Sequence, residues 1–184
     1  MIKDIYVYGS KVLREKAKDV DVADKEHIAS LVQDLKDTLA VADGCGLAAP
    51  QIGVSEKVVI VDGTVLGEDY DYLRDFRRTL INPVVVESSD ETCTYNEGCL
   101  SVPGIYADVV RPVRIKVRYL DENLSEQEEV FDRFASRMVQ HELSHLDGDL
   151  FTDHVAPIRK KLISKKLLNI ALGKTGARYR TRIK

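Results

Sequence analysis

Val113-Arg114-Ile115-Lys116-Val117-Arg118-Tyr119 alternates between hydrophobic and basic residues over seven positions. Successive side chains of a strand point to opposite faces, so this stretch reads as a half-buried antiparallel strand. Working outward, the surrounding 105–134 resembles a series of strands in a meander, after which the hydrophobic period changes. A helix is expected from about 133 to 147, where Asp147-Gly148 ends it, and another from about 157 to 171, with Pro157 in its first turn. The second of these carries Ile158, Leu162, Ile163 and Leu167 as its apolar positions. Toward the N-terminus, 79–87 is strand-like, with Pro83 marking an edge or a bulge. Residues 63–78 are polar and read as a surface loop, and Val58-Val59-Ile60-Val61 is a short buried strand. A first helix covers 24–42, with Asp24 as N-cap and Ile28, Leu31, Val32, Leu35 and Leu39 at helical spacing. Strands in series followed by helices make an α+β domain.

The chain has 184 residues, enough for one domain with its own core, and no apolar run approaches the roughly 20 residues of a membrane span. Its first residues, Met1-Ile2-Lys3-Asp4-Ile5, lack the apolar core of a signal peptide, which leads to a cytoplasmic expectation without membrane contact. Three cysteines, Cys45, Cys93 and Cys99, form no disulfide framework and leave room for a metal-binding or reactive thiol. The net charge of −3 conceals a split: after Asp153 there are ten basic side chains and no acidic one. The other 17 basic residues face all 30 acidic ones, so the body carries about −13 and the C-terminal segment about +10. Such a segment is either a solvated basic end or a site for an anionic partner.

The chemistry is concentrated in His141-Glu142-Leu143-Ser144-His145. On a helix, residues four apart share a face, so both imidazoles can reach one metal ion, and Glu142 is placed to act as base toward water on that ion. The pattern alone also arises by chance on charged helices. A catalytic metal needs a third protein ligand, and Cys99, Cys45, Cys93, His27, His154, Asp147 and Asp149 are all candidates. Cys99 lies in the bent segment Glu97-Gly98-Cys99-Leu100-Ser101-Val102-Pro103-Gly104, Cys45 lies between two glycines, and Cys93 reads as a small core residue. Gly44-Cys45-Gly46-Leu47-Ala48-Ala49-Pro50-Gln51 is a small-residue loop without the Lys-Ser/Thr of a phosphate loop, and Gln51 can offer an amide donor.

Taken together, Gly44–Gln51, Glu97–Ser101 and Gln140–His145 resemble the three motifs of the peptide deformylase family, GxGLAAPQ, EGCLS and QHExDH, in the same order. The opening Tyr8-Gly9-Ser10-Lys11-Val12-Leu13-Arg14 is similar as well, and the resemblance spans roughly residues 5–155. It implies an α+β catalytic domain over 1–172, with antiparallel strands packed around the helix of residues 141–145, followed by a basic tail at 173–184. It also implies removal of the N-terminal formyl group from formylmethionine of nascent polypeptides, with release of formate. By the same resemblance Cys99, His141 and His145 would bind the metal and Glu142 would be general base and acid. Gln51 and the Leu100 N–H would stabilise the oxyanion, while Gly46, Glu97, Gly98 and Tyr106 would line or support the substrate groove. The implied cofactor is one divalent ion, Fe(II) in the cell, with Zn(II), Ni(II) or Co(II) able to replace it in purified protein. Tyr106, Val139 and the Gly46 region are expected as walls of a methionine pocket. Ser144 departs from the family's Asp, which leaves the support of the metal ligands in question. Residues 159–184 suggest docking on ribosomal RNA; DNA is not an expected partner.

Two rivals use the same residues. An ordinary zinc peptidase would cut an internal peptide bond. A closed structural zinc site with His154 as fourth ligand would leave Glu142 without a task.

Overall fold

The structure, a computed structural model, describes residues 1–183. The elements run β1 (Ile5–Tyr6), α1 (Lys25–Ala42), β2 (Gly46–Ala48), β3 (Val58–Asp62), β4 (Arg77–Ser88), β5 (Thr92–Cys99), β6 (Val102–Pro112), β7 (Ile115–Leu120), β8 (Glu126–Phe131), α2 (Arg133–Leu146), α3 (Pro157–Ala171) and β9 (Thr181–Arg182). The α+β expectation holds. β2-β3-β4-β7-β8 form an antiparallel sheet, β5-β6 a separate antiparallel hairpin, and β1-β9 a short parallel pair.

The alternating stretch is β7: Ile115, Val117 and Tyr119 are buried, and Lys116 and Arg118 face outward. It pairs with β4 on one side and β8 on the other. The meander expected over 105–134 is therefore only half present. β6 pairs back with β5 and leaves the ladder at Pro112, which has no N–H to continue it. Pro83 sits at a bulge, not on an edge, because β4 is central and its register shifts between Ile81 and Val84. Beside it Asn82 takes φ 49° and bonds the backbone of Val20 in both directions, at 2.9 and 3.0 Å. The 63–78 loop is pinned down: Leu73 is fully buried, and Tyr70 stacks on Phe134 with centroids 5.7 Å apart.

α1 starts at the expected cap, with Asp24 accepting from the His27 N–H at 3.0 Å, and buries all five expected apolar residues. α2 is buried on almost every side, from Ala135, Met138 and Val139 to His141, Glu142, His145 and Leu146. It ends at Leu146, and the turn that follows passes through Gly148, where φ is +73° and a Cβ would lie 2.7 Å from the Arg14 carbonyl, so only glycine fits. α3 packs through Ile163, Leu167 and Ile170, but Ile158 and Leu162, expected on its packed face, are exposed. That face therefore mixes apolar and basic side chains in solvent.

The region expected as a tail, 173–184, is anchored over its described part. Ala177, Tyr179, Thr181 and Ile183 turn toward the body, and Arg178, Arg180 and Arg182 turn outward. β9 adds to β1, Arg180 pairs with Asp4 at 2.6 Å, and Tyr179 donates to the Leu100 carbonyl at 2.7 Å.

Candidate metal centre

Two pieces of secondary structure meet at this centre. One is the α2 face that carries His141 and His145, whose ring centroids lie 5.2 Å apart. The other is the turn end of the β5–β6 hairpin. The register shifts between Gly98 and Cys99, and this bulge re-aims the Cys99 side chain toward α2. Cys99 Sγ lies 3.4 Å from His145 Nε2, and the donor atoms of Cys99, His141 and His145 all lie within 4.8 Å of one another. One thiol and two imidazoles this close fit a divalent transition metal with a further position left open.

Glu142 stands beside these donors, 5% exposed, with its Oε2 buried and without a partner among the described residues. Burial pushes its carboxyl up to about 7. Its other oxygen lies against Gly46, where a Cβ would come within 2.6 Å, so the glycine of β2 makes room for this carboxylate.

Behind His141 lies a buried charged cluster. Glu97 Oε2 accepts from His141 Nδ1 at 2.9 Å, which fixes the orientation of the ring. Glu97 Oε1 also accepts from Arg111 Nε and Arg137 Nη1, both at 2.7 Å. Burial opposes the charge on Glu97, but the bonds from His141 and Arg111 outweigh it and hold the carboxyl well below the usual carboxylate range. Burial likewise opposes a charge on His141, yet its bonds to Cys99 and Glu97 carry it up to about 10. His145, buried and facing His141, is driven well below the ordinary histidine value. Ser144 accepts from Arg111 Nη1 at 2.9 Å and donates to the Gln140 carbonyl at 2.9 Å.

Gln51 is 1% exposed. Its Oε1 accepts from the Ala48 N–H at 2.8 Å, which turns Nε2 toward Ser101 Oγ at 3.1 Å and Cys99 Sγ at 3.5 Å. Leu100 forms the turn between β5 and β6, and its N–H has no acceptor among the described residues. Gly98 lies under the Tyr106 ring, 2.5 Å from where a Cβ would be, while Tyr106 itself is exposed. A groove of about 720 Å³ runs past Gln51, Gly98, Cys99, Leu100 and Tyr106, and Phe134, Met138 and Ile105 form apolar parts of its lining. Val139, expected there, points the other way into the core with no exposure, because it lies on the α2 face turned from the groove.

The remaining ligand candidates lie elsewhere. Cys45 lines the groove, but it is not part of the donor group, and burial, with Glu142's charge, raises its thiol to about 11. Cys93 is half-buried on the hairpin, where its carbonyl accepts from Arg137 at 2.7 Å. His27 pairs with Glu56 and His154 with Asp149, both at the surface. Sequence reading missed Arg111, Arg137 and Tyr179. Arg111 had a signal, since it falls on the inward parity of β6 with Ala107 and Val109. Arg137 precedes His141 by one helical turn, on the same face.

Three clustered metal donors beside a buried carboxylate are the equipment of single-metal hydrolases. The comparisons with known proteins narrow the class. Residues 2–161 match the model of the polypeptide deformylase family. A peptide deformylase of Cytophaga hutchinsonii is 39% identical over 180 residues, covering 98% of this chain and 96% of the relative. One of Fusobacterium nucleatum is 42% identical over 171 residues, covering 92% and 93%. The crystal structure of a peptide deformylase from Legionella pneumophila superposes with TM-score 0.82 at 33% identity, covering 95% of this chain and 98% of that one. The chain belongs to the polypeptide deformylase family. It is a metal-dependent hydrolase that removes the formyl group from the N-terminus of nascent peptides. No helix among the described residues is long and apolar enough to cross a membrane.

Proposed function

We propose that Cys99, His141 and His145 hold one divalent cation and that Glu142 is the proton carrier of the deformylation. The observation that carries this reading is the grouping of the three donor atoms within 4.8 Å, with Glu142 buried beside them. A divalent cation bound there would polarise the formyl carbonyl and bring the pKa of water toward about 7. Glu142 takes the proton of the attacking water and hands it to the leaving amine, and formate departs. Gln51 Nε2 and the Leu100 N–H receive the charge that develops on the formyl oxygen; one such donor is typically worth about 3–4 kcal/mol. The Ala48 N–H fixes the Gln51 amide for this task, and Tyr179 steadies the turn one peptide unit further on, through the Leu100 carbonyl. Gly46, Gly98 and Tyr106 shape the groove, Glu97 orients His141, and the apolar lining at Phe134 and Met138 takes the methionine side chain. Fe(II) is the ion proposed for the cell, and Zn(II), Ni(II) or Co(II) for purified protein. A thiolate tempers the Lewis acidity of its ion and suits a soft, deformable centre.

Glu142→Gln tests the assignment: it keeps the side chain's size but cannot accept the proton. Metal-loaded Glu142→Gln should release formate from formyl-Met-Ala-Ser at least about a hundredfold more slowly than wild type. Near-normal turnover would remove Glu142 from the role.

Docking on the ribosome is proposed through α3, whose Arg159, Lys160, Lys161, Lys165 and Lys166 are exposed beside Ile158 and Leu162. Changing Lys160, Lys161, Lys165 and Lys166 to Gln should lower salt-sensitive co-sedimentation with ribosomes and leave turnover of a short peptide intact. Equal, salt-independent sedimentation of both proteins would exclude this surface. Deleting 174–184 is not a clean test, because Gly176–Tyr179 line the catalytic groove.

A further inference from the structure

The C-terminal segment sends three arginines outward, and two are engaged. Arg180 pairs with Asp4 at 2.6 Å, and the Arg182 guanidinium lies 6.0 Å from the Tyr6 ring centroid. Arg178 has no ion pair among the described residues, and it is the one of the three that lines the groove. It stands at the exposed mouth, next to Tyr179, whose bond to the Leu100 carbonyl ties this segment to the turn that follows Cys99. The segment is anchored on both sides of Arg178: by the return of Lys174 N–H to the Asn169 carbonyl at 2.9 Å before it, and by the β1–β9 pairing after it. The backbone of Arg178 is thus held in place beside the groove, and its exposed side chain reaches the mouth from there.

Resting on the deformylase reading of this groove, we propose that Arg178 is a specificity-determining residue that reads a carboxylate on the substrate downstream of its formylmethionine. The bound formyl end occupies the metal side of the groove, so the second and third residues pass the mouth where Arg178 stands. Asp43 is the exposed acidic residue on the lining, at the end of α1, so the lip carries one charge of each sign. A peptide crossing it is sorted by its own charge. In a nascent chain the carboxylate can come only from Asp or Glu side chains, since the C-terminus is esterified to tRNA; in a free short peptide the terminal carboxylate offers the same chemistry.

The test compares kcat/KM for metal-loaded wild type, Arg178→Gln and Arg178→Glu. The substrates are formyl-Met-Ala-Asp amide, formyl-Met-Ala-Lys amide, the two analogues with the charge at the second residue, and formyl-Met-Ala-Ser as free acid and as amide. An exposed ion pair is worth up to about a fivefold effect, and attraction and repulsion add in the ratio. The Asp-to-Lys ratio at one of the two positions should exceed about threefold in wild type, fall by at least about threefold in Arg178→Gln, and fall further in Arg178→Glu. The wild-type preference should shrink with added salt. A difference confined to the free acid and amide pair would overturn side-chain reading, and ratios equal within twofold in all three proteins would overturn the proposal altogether. Formate release from the uncharged amide reports the groove reading by itself, so its failure is told apart from unchanged ratios.

Discussion

Gly46→Ala puts the smallest possible side chain against the proposed proton carrier. A Cβ on Gly46 would sit 2.6 Å from Glu142 Oε1 and 2.8 Å from its Cδ and Cγ. Ordinary contact begins at 3.4 Å, so the carboxylate must retreat by 0.6–0.8 Å or β2 must leave α2. β2 cannot move freely: Gly46, Leu47 and Ala48 are registered on Val61, Ile60 and Val59, and all three β2 residues are buried. Most of the shift therefore falls on Glu142. Misplacing a reacting group by close to 1 Å costs about a hundredfold, or about 2.7 kcal/mol of barrier. Cys99, His141 and His145 are untouched, so metal content should stay at wild-type level. The assay is kcat for formate release from a formylated tripeptide, with metal content by elemental analysis and melting temperature on the same preparation. A metal-loaded, normally melting Gly46→Ala protein with kcat within about threefold of wild type would refute the contact argument, since at least about a hundredfold loss is required by it.

Further outcomes follow from the same geometry. Cys99→Ser should lose tight metal binding and Cys45→Ser should keep it, because Cys45 lies outside the donor group; metal content decides, and the reverse result would exclude this ligand set. Glu97→Gln strips the charge that two buried guanidiniums and His141 share, and should cost about 3 kcal/mol of stability together with about 10–100-fold in metal affinity; an unchanged melting temperature would contradict the cluster. The bond from His27 to Glu56 raises the pKa of His27, so its contribution to stability is complete below about 6.5 and disappears as pH rises through the raised value. Wild type should therefore lose slightly more stability than His27→Gln between about pH 6 and about pH 8, by well under 1 kcal/mol because the pair is half-exposed; denaturant unfolding at the two pH values reads it.

What could be read in the sequence was local. α1 carried a cap and a five-residue apolar stripe, β7 a period-two alternation, and α2 two histidines on one face. Each of these signals depends only on residues within a few positions of one another, and the structure has each element where the pattern put it. What escaped was non-local. Nothing within β6 says that its partner is β5 and not β7; the hairpin follows from the turn at Leu100–Ser101, whose residues do not announce one. The β1–β9 pair joins two strands of two residues from opposite ends of the chain, too short to leave a period in the sequence. Without it the C-terminal segment looks like a loose basic end, although Tyr179 ties it to the Leu100 carbonyl.

The Asp-to-Ser departure at position 144 shows how the site tolerates a change in its own motif. The group that orients His141 is Glu97, which comes from β5 and not from α2, so replacing a carboxylate on the helix leaves that bond intact. What changes is the charge balance behind the ligands. Two buried guanidiniums, Arg111 and Arg137, share the single carboxylate of Glu97. Arg137 offsets part of its charge against the carbonyls of Val109 at 3.0 Å and Cys93 at 2.7 Å. Among the described residues Arg111 has only the Ser144 hydroxyl beyond Glu97, a dipole where an aspartate would supply a full negative charge. The surplus is therefore positive and sits on Arg111; burial is the larger influence on both Glu142 and His145, and the Arg111 charge acts beside it, toward the ionised form of Glu142 and the neutral form of His145. Serine therefore keeps two hydrogen bonds in the cluster, to Arg111 and to the Gln140 carbonyl, while giving up the full charge that an aspartate would place beside Arg111.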